Sequence, residues 1–487
     1  MTASPPFTWT RRHVIALVVL CLAALLDTID VTVVNVAMPT IRTALHFSEG
    51  GLAWMVNAYM VPFGGFLLLA GRAGDMLGRR RVLLAGTTLF TAASLASALA
   101  PDETVMIITR AAEGLGAAFV VPMTLAMLTS VFPAGPARNR AFATWGGVSA
   151  VAGTLGLIAG GLLVSAAGWR WIFFINIPVG AVVIAAALRY LPADRPQQAG
   201  RRFDVIGALT ATGTASLLAY GIVQTQTHPW GSARTITLLA GAAVLLAGFL
   251  AHEHFTARDP LMPLGLWRNR SVAGANLVSA LLSSAIFAMF YSTTLYQQQV
   301  LGYSALRTGL AYIPLGLSIL ISASAGPAVV KRIGVRFATA AGSLVALAGM
   351  LLLARLPVSG HLLANLIGPE VIVGLGAGLV LIPTSVAAMS GVPAERSGIA
   401  SALLNVSRQL GGALGLAVIS TVVTTRTASA LAARHTQAAA LTGGFRAGFA
   451  VSAGLMIATV ITALLLLRED GRGTSVNMIE LQTAGAS

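Results

Sequence analysis

Charged residues are scarce in this sequence: Asp, Glu, Lys and Arg make up only 10% of its 487 residues. A soluble domain carries about a quarter charged residues, so this chain lacks the surface that a soluble domain needs. Hydrophobic residues reach 56% and the mean hydropathy is +0.82. The composition therefore predicts an all-α membrane protein with lipid around most of the chain.

Cysteine is almost absent, and acidic residues are outnumbered. Cys21 is the only cysteine, which excludes an intrachain disulfide. The 31 basic residues against 16 acidic ones give a formal net charge of +15. In a soluble protein this excess would indicate nucleic acid as partner, but here the basic residues lie between apolar runs and do not cluster, so no nucleic-acid partner is predicted.

Groups that would bind a metal or a nucleotide are also lacking. The seven histidines are scattered, and His252-Glu253-His254 stands at the end of an apolar run without further ligand candidates. No glycine-rich loop has phosphate-binding spacing. We therefore expect no metal, no cofactor, no ATP-driven step and no catalytic residues, and the prediction is that the protein is not an enzyme.

Apolar runs long enough to cross a bilayer are what the sequence does contain, since each span needs about 20 residues. Fourteen runs are predicted, near residues 13–37, 51–71, 82–100, 103–125, 142–165, 171–189, 203–223, 235–253, 272–297, 308–330, 337–355, 363–389, 398–422 and 446–467. Most of the basic loop residues fall on one side if the N-terminus is cytoplasmic. The sequence thus predicts a multi-pass protein of the cell membrane with both termini in the cytoplasm.

An internal repeat divides the chain. GLGAAFVVP from Gly114 recurs as GLGAGLVLIP from Gly374, displaced by 260 residues, and the turn at Gly78 is weakly echoed at Gly334, displaced by 256. Repeats of this kind are typical of transporters that rock two halves about a central site. The predicted division is a six-helix lobe (1–195), a two-helix insert (196–257), a second six-helix lobe (258–470) and a cytoplasmic tail (471–487).

Six short motifs stand out: DVTVVNVAMP (30–39), GRAGDMLGRRRVL (71–83), RAAEGLGAA (110–118), GLIAGG (156–161), WRWIFFINIP (169–178) and FDVIG (203–207). With the stretch 296–314 they resemble the major facilitator superfamily, specifically its fourteen-span drug:proton antiporters. Leu157 stands where that family has Pro, and Glu113 where it has Gln. The resemblance implies a major facilitator fold that exports amphiphilic small molecules in exchange for protons. It also implies a protein that functions as a monomer and has the lipid bilayer as its other partner.

The resemblance also implies a conformational latch in the loop between the second and third spans. Its members would be Gly71, Asp75, Gly78, Arg79 and Arg80. An acid at this turn can stabilise the positive end of a neighbouring helix, while the arginines bind carbonyls or another acid.

Ionisable side chains inside spans cost about 2.5–3.5 kcal/mol each, so they are candidates for proton coupling. Asp27 and Asp30 are three residues apart on one helix face, where mutual repulsion favours keeping a proton on one of them. The alternative is that Asp27 faces an aqueous vestibule and only Asp30 acts. Arg110 and Glu113, also three apart, are predicted to form a local ion pair, either structural or part of proton coupling.

Glu370 is the repeat counterpart of Arg110, because the two positions are 260 residues apart. We expect the two side chains to approach each other across the central cavity; the alternative is that Glu370 faces water near the outer mouth. Predicted substrate-binding residues are Asp30, Asn35, Tyr291, Gln297 and Glu370, against an alternative in which such polar groups only pack helices. Export of a dedicated metabolite, proton symport and a membrane-embedded enzyme remain alternative functions.

Overall fold

The computed structural model describes residues 9–133, 136–193, 204–225, 228–256, 264–392 and 397–467. All regular structure in these ranges is helical, as the apolar composition requires, because lipid offers no partners for open backbone groups. The α-helices are α1 (Arg11–Leu45), α2 (Glu49–Leu77), α3 (Arg79–Ala98), α4 (Glu103–Val131), α5 (Pro136–Ala167), α6 (Trp171–Phe174), α7 (Asn176–Tyr190), α8 (Val205–Gln224), α9 (Ala233–Ala251), α10 (Arg270–Leu295), α11 (Ala305–Ala311), α12 (Ile313–Leu353), α13 (Gly368–Met389), α14 (Ser397–Ala432) and α15 (Gln437–Leu466).

Eleven helices in the described ranges are long and apolar enough to cross a membrane. Two shorter apolar stretches, Gly51–Leu67 and Leu155–Ala167, lie within α2 and α5. One of the eleven, Ala305–Leu353, has 49 residues and is broken inside α12 at Gly334, whose φ is +79°. A positive φ at this position suits glycine, and it falls between the two spans predicted at 308–330 and 337–355.

The helices pack as two groups. In the N-terminal lobe, defined as α1–α7, the main contacts join α3 with α4, α2 with α4, and α1 with α5. In the C-terminal lobe, defined as α10–α15, α12 packs on α13 and α10 packs on α14 and α15. In the inserted hairpin, α8 packs on α9 and also on α2 and α14.

Glycine contacts recur at the displacement of the sequence repeat. Gly116 of α4 lies against Gly86 of α3, and Gly376 of α13 lies against Gly342 of α12. Each contact lets two helix backbones approach closely because neither side carries a Cβ. The counterpart of Gly334 is Gly78, between α2 and α3, and its φ is also positive at +97°. The repeat seen in the sequence is therefore a repeat of helix packing.

The boundaries predicted at 195/196 and 257/258, and the tail 471–487, lie outside the described residues. The described part of the insert begins at Asp204, which caps α8 by accepting the Gly207 amide at 2.8 Å. Its Oδ1 also lies 2.7 Å from Nε2 of His252, at the end of α9. This contact joins the two ends of the inserted hairpin and gives His252 a structural partner that the sequence did not indicate.

The two lobes meet where α2 contacts α14 and where α5 contacts α11. A Cβ on Gly161 of α5 would lie 2.7 Å from the carbonyl oxygen of Ala305, and one on Gly309 of α11 would collide with the carbonyl oxygen of Leu157. Gln298 adds a hydrogen bond from Nε2 to the carbonyl oxygen of Val36 on α1, at 2.9 Å. This end of the molecule is closed by backbone contact, which has little room for added atoms.

Replacing Gly309 with alanine is therefore expected to weaken the closed contact. Overpacking of this kind costs about 1–3 kcal/mol, so the apparent melting temperature of the purified protein should fall by several degrees. The matched control is Gly153→Ala on α5, where an added Cβ meets nothing within 4 Å. Equal melting temperatures for the two variants would contradict the tight α5–α11 contact.

Candidate functional site

Asp30 of α1 and Arg110 of α4 form a buried ion pair. Nη1 of Arg110 donates to Oδ2 of Asp30 at 2.5 Å, and each residue is only 1% exposed. The residues are 80 positions apart, and α1 and α4 bring them together by packing against each other. In a low-dielectric interior such a pair is strongly coupled, since neither charge has water as an alternative partner.

Glu113 contacts the same atom of Arg110, as their three-residue spacing on α4 predicts. The Glu113 side chain is fully buried. Arg110 also lies over an aromatic face, with its guanidinium carbon 4.4 Å from the ring centre of Tyr59. Two carboxylates and one ring therefore surround a single guanidinium, and the local ion pair predicted from sequence is confirmed as part of a larger cluster.

Asn176 fixes the other carboxylate oxygen of Asp30. Its Nδ2 donates to Oδ1 of Asp30 at 3.1 Å and to Oγ of Ser94 at 3.0 Å. Ser94 in turn donates to the carbonyl oxygen of Phe173 at 3.1 Å. Both oxygens of Asp30 are thus held by named donors from α4 and α7, which orients the carboxylate in one direction.

Asp27 lies one turn before Asp30 and is half-buried. The hydroxyl of Tyr59 donates to its Oδ1 at 2.6 Å. Tyr59 therefore connects both acids of α1 to Arg110, with its hydroxyl on Asp27 and its ring under the guanidinium. Both alternatives considered for Asp27 stay predictions.

Charge balance gives this cluster its chemistry. Two carboxyl groups, Asp30 and Glu113, contact one guanidinium, Arg110. If both were ionised, the cluster would hold one uncompensated negative charge in low dielectric, which costs several kcal/mol. The arrangement can therefore take up and release protons, with Arg110 exchanging partners as the number of ionised acids changes.

The predicted latch residues lie at the junction of α2 and α3. Arg79 donates through Nη1 to the carbonyl oxygen of Ala126 at 2.9 Å and to Oγ of Ser130 at 2.8 Å, both on α4. Arg80 donates to the carbonyl oxygen of Leu188 on α7. The prediction that these arginines bind carbonyls is confirmed.

The rest of the latch is described only in part. Gly78 forms the turn, and Gly71 has nothing within 4 Å of an added Cβ. The side chain of Asp75 lies outside the described part of the structure. The role of these residues as a latch stays a prediction.

Glu370 lies apart from this cluster, in the C-terminal lobe. It is fully buried on α13. Neither carboxylate oxygen has a hydrogen-bond partner among the described residues. The alternative in which Glu370 faces water is therefore wrong. Arg110 has other partners in this structure, so its approach to Glu370 stays a prediction about another state.

The remaining predicted substrate-binding residues are also enclosed. Asn35 is 4% exposed and donates to the carbonyl oxygen of Val31 on its own helix at 2.8 Å. Tyr291 and Gln297 are 1% and 0% exposed, and neither amide atom of Gln297 has a partner among the described residues. A ligand can reach these groups only after the helices around them separate, and their role in binding stays a prediction.

Sequence reasoning missed three members of the cluster: Tyr59, Ser94 and Asn176. Asn176 lies inside the WRWIFFINIP motif, so an amide within an otherwise apolar segment was the available signal. Tyr59 and Ser94 are common residues in membrane helices, and only the rotation of α2 and α3 about their axes turns them toward Asp27 and Asn176.

Known protein families and individual proteins resemble this chain. A sequence profile of the Major Facilitator Superfamily matches residues 20–416. The cephamycin export protein CmcT of Amycolatopsis lactamdurans is 37% identical over 415 residues, covering 85% of each chain. The puromycin resistance protein pur8 of Streptomyces alboniger is 36% identical over 458 residues, covering 93% of this chain and 90% of its own.

Solved structures agree on the fold. A bacterial homologue of the human lysosomal transporter Spinster, in an inward-facing and unoccupied conformation, superposes with a TM-score of 0.66 at 16% identity. The match covers 95% of this chain and 98% of that one. Since the profile spans most of the sequence and two relatives exceed 30% identity, the chain belongs to the Major Facilitator Superfamily, as its motifs predicted.

Proposed function

We propose that this protein is a proton-coupled antiporter that exports drug-like molecules across the cell membrane by alternating access. The observation that carries the proposal is the buried cluster of Asp30, Glu113 and Arg110 in a Major Facilitator chain. We propose that this cluster binds and releases the coupled protons. Two relatives that cover most of this chain are named for cephamycin export and for puromycin resistance, which supports an antibiotic or a related amphiphile as cargo.

The proposal includes fourteen spans. The eleven candidate helices, the division of one of them at Gly334, and the partly apolar helices α2 and α5 together support that number. With an even number of spans and the basic residues concentrated in alternate loops, both termini lie in the cytoplasm. The working unit is a monomer, because one chain carries both lobes and the cluster between its helices.

Proton coupling proceeds through competition for Arg110. When a proton binds Asp30, the guanidinium loses one ionic partner and turns toward Glu113, which loosens the contact between α1 and α4. Release of the proton restores the pair. Cargo and protons bind the same cavity when the two lobes are in different conformations. Export of the cargo is therefore coupled to entry of protons, and the proton gradient drives the cargo outward.

The function is tested in two steps on the intact chain. Expression in a drug-sensitive bacterial host should raise resistance to antibiotics, and inverted vesicles should release protons when such a compound is added. Resistance without substrate-driven proton release would contradict antiport. Accumulation of the compound in the expressing cells would instead favour symport or uptake.

Glu370 supplies a separate prediction. Because its carboxylate has neither a hydrogen-bond partner nor an ion pair among the described residues, glutamine should fit the same buried position without loss of stability. If Glu370 takes part in proton coupling, Glu370→Gln should lower the proton release per substrate by about twofold, since one proton-binding acid inside the membrane is lost.

The control for Glu370→Gln is Glu103→Gln. Both glutamates lie in the first turn of a helix. Glu103 is the first residue of α4, where it accepts a hydrogen bond from the Ser48 amide at 3.3 Å. Unchanged resistance and unchanged proton release in Glu370→Gln would remove Glu370 from the coupling set.

A further inference from the structure

Arg408 is an exposed charge in the middle of a helix. It stands twelve residues into the 36-residue α14, yet its side chain is exposed. Its hydrogen bond goes to Oδ1 of Asn405 on the same helix, from Nη2 at 2.7 Å. An arginine at this depth is costly unless it faces a water-filled cavity or a partner. Among the described residues, Arg408 makes neither an ion pair within 4.0 Å nor a hydrogen bond to a backbone carbonyl.

Neighbouring contacts show which way Arg408 faces. Gly412 lies one turn further along the same face of α14, and an added Cβ there would lie 2.5 Å from Met60 of α2 and 2.8 Å from Phe287 of α10. These two residues belong to different lobes. The face of α14 that carries Arg408 is therefore turned toward the seam between the lobes, which is closed at Gly412 and open at Arg408.

Asp27 faces the same seam from the N-terminal lobe. It is half-buried, and its carboxylate interacts electrostatically with Arg408. The salt bridges of the described residues do not include this pair, so the two charges attract each other across a gap. Tyr59 fixes the Asp27 carboxylate from one side. The seam thus carries the carboxylate of Asp27 on α1 and the guanidinium of Arg408 on α14.

Resting on the proposed export function, we propose that Arg408 binds an acidic group, such as a carboxylate, of the exported molecule. A guanidinium with most of its donors open to the seam can take a carboxylate through two parallel hydrogen bonds. In a seam that served only cations, the same exposed charge would repel the cargo. The cargo class is therefore an amphiphile that carries an acidic group, either alone or with a basic group placed toward Asp27.

The test compares two probes that differ only in this group, dansyl-phenylalanine and its methyl ester. Each is titrated by fluorescence against the full-length protein in lipid nanodiscs. Wild type is expected to bind the acid more tightly than the ester by roughly tenfold, the value of one charge-assisted contact. Arg408→Gln should abolish this preference by weakening the acid alone, whereas the control Arg426→Gln, at an exposed site near the end of α14, should keep it.

Arg408→Lys is the second variant, and it keeps the charge without the planar fork, so it should retain part of the preference. The proposal is overturned if wild type binds acid and ester equally, or if Arg408→Gln weakens both probes alike, since Arg408 would then act only as a counter-charge to Asp27. Antibiotic resistance of the expressing host is measured in parallel. Resistance without an acid preference overturns the acid site and leaves the exporter standing, and its absence counts against the exporter.

Discussion

Replacing Asp30 with asparagine is expected to abolish substrate-driven proton release while the protein still folds. Asparagine has nearly the same shape, and its side-chain oxygen can still accept from Arg110 or Asn176. The asparagine side chain cannot bind and release a proton at the pH of the assay, so Arg110 no longer exchanges one partner for another. Glu113 remains as the counter-ion of Arg110, which limits the cost in stability. The measurement is the pH change in inverted vesicles on addition of drug.

The matched control for this change is Asp102→Asn. Asp102 is exposed and caps α4 by accepting the Val105 amide at 2.9 Å, a role that asparagine fills as well as aspartate. Proton release in this variant should equal that of wild type. Proton release that persists in Asp30→Asn would place the coupling site elsewhere, and would make the Asp30–Arg110 pair purely structural.

Removing the cation has the larger effect on stability. Arg110→Met leaves Asp30 and Glu113 buried with no positive partner, and breaking a buried pair in this way costs about 3–5 kcal/mol. We expect a large fall in the apparent melting temperature, measured by size-exclusion chromatography after heating, and much less protein in the membrane. Transport should be absent.

A triple variant separates charge from packing. Combining Arg110→Met with Asp30→Asn and Glu113→Gln removes the uncompensated charges, so the melting temperature should return toward that of wild type. Proton release should stay absent, because both acids of the pair are gone. If the single Arg110→Met variant were as stable as wild type, the buried Asp30 and Glu113 would not need the positive charge of Arg110 for stability.

The sequence was informative about the kind of structure, a bundle of apolar helices, because lipid imposes length and apolarity on each span. It also indicated the repeat, since Gly116 and Gly376 keep the same small contact surface in both lobes. The ionisable residues could be found in the same way, because Asp30 and Arg110 interrupt apolar runs. What the sequence could not indicate was that Asp30 and Arg110 pair with each other.

The sequence does not show how each helix is rotated about its axis or how far it is shifted along that axis. Local spacing favoured the pairs Asp27–Asp30 and Arg110–Glu113, each three residues apart. The contact between Asp30 and Arg110 joins residues 80 positions apart and depends on the packing of α1 on α4. Glu370 shows the same limit, since the repeat relates its position to Arg110 but gave no information on the partners of Arg110, which are Asp30 and Glu113 in this structure.

The inserted hairpin has a mechanical consequence. Helix α8 contacts α2 through Thr212, which lies against Gly65, and contacts α14 through the carbonyl oxygen of Ile222, which accepts from Thr421 at 3.3 Å. One helix is therefore attached to both moving bodies. A rotation of one lobe against the other would break at least one of these two contacts, so we expect stronger contacts of α8 to slow transport.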